Sequence, residues 1–171
     1  MRLRPSEHAT RRAAARWSAI TMVMASSATF LTASTGLSSS RCDIVGTAAS
    51  ERLVGSARGE VICGRGGDDT IWGYGGDDEI HGGSGRDRIM GGIGEDRILG
   101  DDGADKLRGG PSEDRLVGGS GNDILRGQLG PDFLDGLDGT PARETLWGGL
   151  GTDGCAVDDR DITIGCETVV A

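Results

Sequence analysis

Apolar residues recur at one fixed place in a nine-residue period through most of this chain. The period holds for ten consecutive units from Gly46 to Asp135, as in GGSGRDRIM (82–90) and GGIGEDRIL (91–99). The eighth position of each of these units is Leu or Ile, and residues of mixed character flank it. One inward side chain between two outward ones is typical of a β-strand, so positions seven to nine predict a strand about 10 Å long.

Glycine and acidic residues occupy two other fixed positions of the unit. A twelve-residue unit, GLDGTPARETLW (136–147), adds three residues, and GGLGTDGCA (148–156) ends the array with Cys155 at position eight. In all twelve units position one is Gly and position six is Asp or Glu. A glycine required at a fixed place marks a turn in which the backbone takes a positive φ or closely approaches another segment. The array therefore predicts short strands joined by glycine turns.

The composition argues against an ordinary globular core. The 171 residues include 32 Gly but only three Trp, two Phe and one Tyr. The net charge of -9, from 27 acidic and 18 basic residues, argues against nucleic acid or an anionic membrane as the main partner. Cations are the better candidates.

The segment 1–41 differs from the array and predicts an export signal. Five arginines between Arg2 and Arg16 precede a charge-free stretch from Trp17 to Ser40 with an apolar centre. This is the arrangement of a cleaved secretory signal. Ser and Thr interrupt the apolar run, so a single-pass transmembrane helix is the weaker alternative.

The repeat resembles that of a known family. Its units follow the pattern G-G-x-G-x-D-x-U-x, in which U is a large apolar residue, and this is the calcium-binding repeat of RTX (hemolysin-type) proteins. The resemblance covers about 111 of the 171 residues. It implies an all-β fold, a right-handed parallel β-roll (a β-solenoid) with two nonapeptides in each coil. An antiparallel meander is the alternative fold, since Gly-Asp turns also form hairpins.

In such a roll the position-six acids form two columns, because units two apart stack at about 4.8 Å. Like charges at that spacing repel by about 1–4 kcal/mol per pair. One buried Leu or Ile per unit offsets little of the entropy lost when nine residues become ordered. We therefore expect the roll to need Ca²⁺ for folding, because flexible loops suit its six or more oxygen ligands better than they suit Mg²⁺.

The resemblance also implies which groups bind calcium, namely aspartate carboxylates and turn carbonyls. The expected metal ligands are the position-six aspartates Asp69, Asp78, Asp87, Asp96, Asp105, Asp114, Asp123, Asp132 and Asp153. Glu51, Glu60 and Glu144 stand where the family has Asp, and we leave them out of this set. Three gaps between aspartates in one column and four in the other allow up to seven ions.

Residues typical of an active site do not accompany the repeat. His81 is the only histidine after residue 41, it has no nucleophile beside it in the pattern, and the chain lacks an H-E-x-x-H motif. We expect that the protein is not an enzyme. Positions seven and nine should face outward, and their apolar members could form a partner-binding strip: Trp72, Met90, Leu99, Val117 and Trp147.

All four cysteines, Cys42, Cys63, Cys155 and Cys166, follow the export segment. An even number in an exported chain favours disulfides, and the absence of a C-x2-C pair disfavours the alternative of a zinc site. Of the three connectivities, we expect Cys42–Cys63 and Cys155–Cys166. In a roll, about five coils separate Cys63 from Cys155 by roughly 24 Å, too far for a bond that needs Cα atoms within about 7 Å.

These observations predict a secreted, extracellular β-roll that binds several Ca²⁺ ions and folds as it binds them. We expect three segments, the signal (1–41), the calcium-binding array with an N-terminal cap (42–156) and a C-terminal cap (157–171). The biological role would be that of a structural or adhesive module with an extracellular protein or polysaccharide partner. The alternative is an accessory or stabilising subunit of a secreted enzyme or toxin on another chain. We expect no nucleic-acid partner and no stable membrane insertion after signal cleavage.

Overall fold

The computed structural model describes residues 42–138 and 141–171, which form two sheets of parallel β-strands. The eight-stranded sheet contains, in spatial order, β1 (Ile44–Val45), β3 (Val61–Cys63), β5 (Glu79–Ser84), β7 (Arg97–Asp102), β9 (Arg115–Ser120), β11 (Phe133–Asp135), β13 (Gly154–Ala156) and β15 (Thr168–Val170). The seven-stranded sheet contains β2 (Arg52–Val54), β4 (Thr70–Gly75), β6 (Arg88–Ile93), β8 (Lys106–Pro111), β10 (Ile124–Leu129), β12 (Thr145–Leu150) and β14 (Ile162–Ile164).

The chain alternates between the two sheets, so each coil consists of two nonapeptides. Strands therefore pair with the strand two elements later, and Ile80 of β5 lies beside Ile98 of β7, which lies beside Leu116 of β9. The separation of 18 residues between partners is two repeat units. The predicted parallel β-roll is confirmed, and the antiparallel meander is wrong.

The position-eight side chains form the core between the sheets. Every Leu and Ile at this position is buried, from Leu53 at 7% exposure to nine residues at 0%. Cys155 takes the same place in the last repeat unit and is 1% exposed. Because each coil contributes only two such side chains, the core is two stacks of single residues.

The central strands are longer than the sequence predicts. In β6, for example, the strand includes the expected Arg88, Ile89 and Met90 but continues through Gly91, Gly92 and Ile93. Pairing continues there because position two takes a positive φ, +121° at Gly92 and +77° at its partner Tyr74. The turn half of the unit thus also forms ladder hydrogen bonds, which the strict three-residue prediction missed.

The three-residue insertion leaves the stacking unchanged. β10 pairs with β12 with a partner separation of 21 residues, as at Leu125 and Leu146, and the extra residues lie in the turn before β12. The tail 157–171 then adds a strand to each sheet, β14 beside β12 and β15 beside β13.

Both expected disulfides are confirmed. Cys42 is bonded to Cys63 with a Cα–Cα distance of 6.0 Å, and Cys155 to Cys166 with one of 5.9 Å. One bond therefore ties the residues before β1 to β3, and the other ties the tail to β13.

The expected export segment, 1–41, lies outside the described residues. Within the described ranges, no helix is long and apolar enough to cross a membrane.

Candidate metal centre

The acidic residues at position six point into the roll, next to the core stacks. Ten of them are between 0% and 3% exposed: Asp69, Asp78, Asp87, Asp96, Asp105, Asp114, Asp123, Asp132, Glu144 and Asp153. Nine are the expected ligands, and the tenth, Glu144, is as deeply buried as they are. Burying a carboxylate costs free energy unless its oxygens acquire partners.

Backbone N–H groups satisfy one oxygen of each column aspartate. The N–H of Asp69 donates to Oδ1 of Asp87 at 2.8 Å, and that of Asp87 donates to Oδ1 of Asp105 at 2.8 Å. The other column repeats the arrangement, with the N–H of Asp96 donating to Oδ1 of Asp114 at 2.9 Å. Each carboxylate is therefore held in one orientation by the coil before it.

The second oxygen of each column aspartate has no hydrogen-bond partner. Among the described residues, Oδ2 is buried and unpartnered in all nine aspartates, and so are both carboxylate oxygens of Glu144. The ion pairs in the described ranges join His81 to Glu79 and Asp101, and Arg115 to Asp135. None of these pairs includes a buried acid, so the columns lack a cationic side chain that could compensate them.

The unpartnered oxygens converge with backbone carbonyls on the space beside the position-one glycines. A Cβ on Gly82 would lie 2.5 Å from Oδ2 of Asp87 and 2.7 Å from the carbonyl oxygen of Gly100. A Cβ on Gly73 would lie 2.1 Å from Oδ2 of Asp78 and 2.6 Å from a carbonyl oxygen. At these two glycines an oxygen fills the place that a side chain would take. Carboxylate and carbonyl oxygens in a flexible turn are the donors that Ca²⁺ prefers, so these residues fit that ion.

Burial raises the pKa of eight column aspartates, most strongly near the middle of the roll. Desolvation raises the pKa of Asp105 and Asp114 to about 7 and of Asp96 to about 6. The N–H bond from the preceding coil opposes this rise, and neighbouring carboxylates add to it. The same causes raise the pKa of Asp123 and Asp132 to about 6. They also raise the pKa of three aspartates nearer the start of the array: Asp69, Asp78 and Asp87. Burial in the absence of a cation therefore shifts these eight carboxyls toward the protonated form.

The two glutamates at the start of the array accept hydrogen bonds from backbone groups of their own turns. Oε2 of Glu51 accepts the N–H of Thr47 at 2.6 Å, and Oε2 of Glu60 accepts the N–H of Ser56 at 3.0 Å. Both glutamates are half-buried. Oε2 of each glutamate lies beside the position-one glycine of its own unit, 3.0 Å from the place that a Cβ on that glycine would take, so the longer side chains reach the position of the aspartates' Oδ2 while they accept these hydrogen bonds.

Two tail acids extend the columns and were not expected from the sequence. Oδ1 of Asp161 accepts the N–H of Glu144 at 3.1 Å, and Oε2 of Glu167 accepts the N–H of Asp153 at 2.5 Å. Their spacings of 17 and 14 residues break the nine-residue register. The segments DITI (161–164) and ETVV (167–170) nevertheless keep an acid two residues before the inward position. That signal, without the turn glycines, could have identified them.

Two further acids lie outside the columns, each just before a column aspartate in the sequence GGDD (66–69 and 75–78). Asp68 and Asp77 are exposed, and each accepts a backbone N–H from the next coil, Arg86 at 2.8 Å and Glu95 at 3.0 Å. They join neighbouring turns at the surface.

A family model described as RTX calcium-binding nonapeptide repeat (4 copies) matches five overlapping segments of the chain, 54–89, 81–116, 90–125, 108–141 and 117–154. Together these segments span residues 54–154, more than half of the chain. A search of curated proteins finds no match.

Proposed function

Because the chain belongs to the family of proteins with RTX calcium-binding nonapeptide repeats, we propose that it binds calcium along the two acidic columns and folds as it binds. RTX nonapeptide repeats bind calcium in general. The observation that carries the proposal for this chain is the set of buried Oδ2 atoms without partners. A bound Ca²⁺ would supply the positive charge that these oxygens lack.

The proposed ligands are the nine column aspartates together with turn carbonyls. Oδ1 of each aspartate accepts a backbone N–H group, so Oδ2 is the atom available to a metal ion, as at Asp87 and Asp96. The carbonyl of Gly100 lies beside the same space as Oδ2 of Asp87. The chain thus offers both kinds of oxygen from adjacent coils, and a bound ion would connect those coils.

Coupling of folding to calcium follows from the same contacts. In the folded chain each column places carboxylates one coil apart, which is about 4.8 Å, and removes them from water. The raised pKa of Asp105 measures how unfavourable the charged form is there. The unfolded chain avoids both the repulsion and the desolvation, so a metal-free roll is at a disadvantage that bound calcium removes.

The extracellular setting is part of the proposal. RTX repeat proteins are typically secreted, and two disulfides indicate an oxidising compartment. We propose that 1–41 directs export, that 42–156 with its N-terminal cap is the calcium-binding part, and that 157–171 covers the last coil. Folding would then begin when the chain meets extracellular calcium.

A structural or adhesive module is the biological role that we propose. RTX β-rolls are typically structural, and the outward residues offer contact surfaces. Trp72 and Trp147 are half-buried beneath Arg52 and Arg126, at 4.0 and 4.5 Å from guanidinium carbon to ring centroid. These arginines cover two of the five residues of the expected apolar strip. The fold also divides that strip, because Leu99 and Val117 lie in the eight-stranded sheet and the other three residues in the seven-stranded one.

The test of the proposal is a count of bound calcium. Equilibrium dialysis of the full chain, with both disulfides formed, against calcium in excess magnesium should give saturable binding of several ions per chain. Absence of saturable calcium binding, or its complete loss to magnesium, would contradict the proposal.

A further inference from the structure

A second acidic cluster lies at the C-terminal end of the roll and does not follow the nonapeptide pattern. It consists of Asp138, Glu144 and Asp158. Asp138 lies in the turn between β11 and β12 that contains the insertion (the inserted turn), Glu144 directly precedes β12, and Asp158 lies in the tail. Each residue offers one carboxylate oxygen, and the three oxygens lie within 4.8 Å of one another. Asp138 and Asp158 are not position-six residues, so the repeat does not account for this cluster.

Glu144 provides an independent sign that the cluster holds a ligand. It is 0% exposed, and neither of its carboxylate oxygens has a hydrogen-bond partner. The column aspartates each keep one satisfied oxygen, so Glu144 is the least satisfied buried acid among the described residues.

The tail and the inserted turn are already held in place around these oxygens. Asp161 accepts the N–H of Glu144 at 3.1 Å through Oδ1 and the N–H of Asp158 at 2.9 Å through Oδ2. Nη1 of Arg160 donates to the carbonyl oxygen of Pro141 at 2.9 Å. Asp161 thus orients two of the three cluster residues, and Arg160 joins the tail to the inserted turn.

We propose that Asp138, Glu144 and Asp158 bind one additional calcium ion, separate from the nonapeptide sites, which fixes the tail onto the inserted turn. Two oxygens on one Ca²⁺, at 2.3–2.6 Å from it, lie at most about 5.2 Å apart, and the three observed oxygens satisfy this limit. The three carboxylates and the buried position of one of them suit a hard divalent cation. The inference goes beyond the proposed function, because two of the three ligands, Asp138 and Asp158, are not position-six residues.

The test compares two neighbouring aspartates in the full chain. Asp158→Asn removes a cluster carboxylate, whereas Asp159→Asn makes the same change in charge at an exposed residue next to it. Native mass spectrometry in saturating calcium should find one ion fewer in Asp158→Asn than in the parent, and no difference for Asp159→Asn. Hydrogen exchange in β14 and β15 should rise only in Asp158→Asn.

A second variant, Glu144→Gln, tests the same site if the Asp158→Asn protein does not fold. It keeps the size of the buried side chain and should lose the same single ion, while the remaining calcium count stays that of the parent. Equal calcium counts in the parent, Glu144→Gln and Asp158→Asn would overturn the inference and would favour a proton shared by Glu144 and Asp161. If the parent itself binds no calcium, the proposed function fails as well.

Discussion

At the scale of single residues, the two oxygens of each column aspartate are in different states. In Asp96, Oδ1 accepts the N–H of Asp78 at 3.0 Å, whereas Oδ2 is buried without a partner. The sequence predicted that the position-six aspartates would form columns, but it could not predict this division. The N–H donor comes from a residue 18 positions away, and only the stacked coils bring the two groups together.

Replacement of Asp96 by Asn should separate calcium binding from turn structure. The amide oxygen can still accept the N–H of Asp78, but the second position loses its negative charge. We expect the midpoint calcium concentration for folding to rise by about tenfold, since the charge of the ligands sets affinity. Calcium titrations followed by circular dichroism should show no comparable shift for Glu95→Gln, an exposed acid next to it. Equal shifts in the two variants would show that general charge, and not ligation, matters.

The raised pKa values predict that acid partly replaces calcium. A column aspartate has a pKa near 3.8 when unfolded, and burial raises that of Asp105 and Asp114 to about 7. The fold therefore favours the protonated form, and this contribution is complete below about pH 4 and is lost as pH rises to about 7. As the pH falls from 7.5 to 5, calcium-stripped protein should gain β-structure. Over the same interval the calcium concentration at the midpoint of folding should increase, because protons compete with calcium for the carboxylates. Metal-free protein that loses β-structure as pH falls through this interval would contradict the assignment.

Position one should require glycine because a side chain there would overlap with the neighbouring aspartate. A Cβ on Gly91 would lie 2.1 Å from Oδ2 and 2.7 Å from Cγ of Asp96. A Cβ on Gly75 would meet nothing closer than 3.5 Å. Gly91→Ala should therefore lower the free energy of unfolding in calcium by about 1–3 kcal/mol or more, and Gly75→Ala should change it little. Urea denaturation measures both, and similar losses would indicate that backbone freedom is the reason. The sequence had left open whether close approach or positive φ required these glycines.

At the scale of strands and turns, the repeat predicted the order of the elements better than their lengths. Position eight identified the residues of the two core stacks, because alternation of inward and outward side chains along a strand is a local property. It did not identify β14 and β15, since Asp161 and Glu167 keep the acidic position without the turn glycines. The insertion before β12 was visible, but its proximity to the tail arises only from the stacked fold.

The disulfide between Cys155 and Cys166 should stabilise the last coil locally. Closing a loop of 11 residues contributes about 3 kcal/mol in the chain-entropy estimate. In calcium, replacement of both cysteines by Ala should increase hydrogen exchange in β14 and β15 and leave β5 to β9 protected. The control removes Cys42 and Cys63 instead and should affect β1 to β3. Uniform exchange throughout the roll would contradict this local effect.

At the scale of the whole molecule, a core of single residues is combined with two columns of buried acids. The 171 residues carry a net charge of -9. The aspartates whose pKa burial raises to about 7, Asp105 and Asp114, lie near the middle of the array. Each coil contacts mainly its neighbours, so stability should spread along the roll from coil to coil. The repeat predicted this architecture because one unit specifies its own stacking, whereas the ends depend on contacts outside the repeat.

Far-ultraviolet circular dichroism of the full, disulfide-bonded chain at neutral pH shows whether calcium binding and folding are coupled. The spectrum is recorded in EDTA, then in excess magnesium, and then at increasing calcium up to millimolar concentrations. We expect a largely unfolded spectrum in EDTA and magnesium, and a cooperative change to β-structure with calcium. The same complete β spectrum in EDTA as in calcium would contradict it.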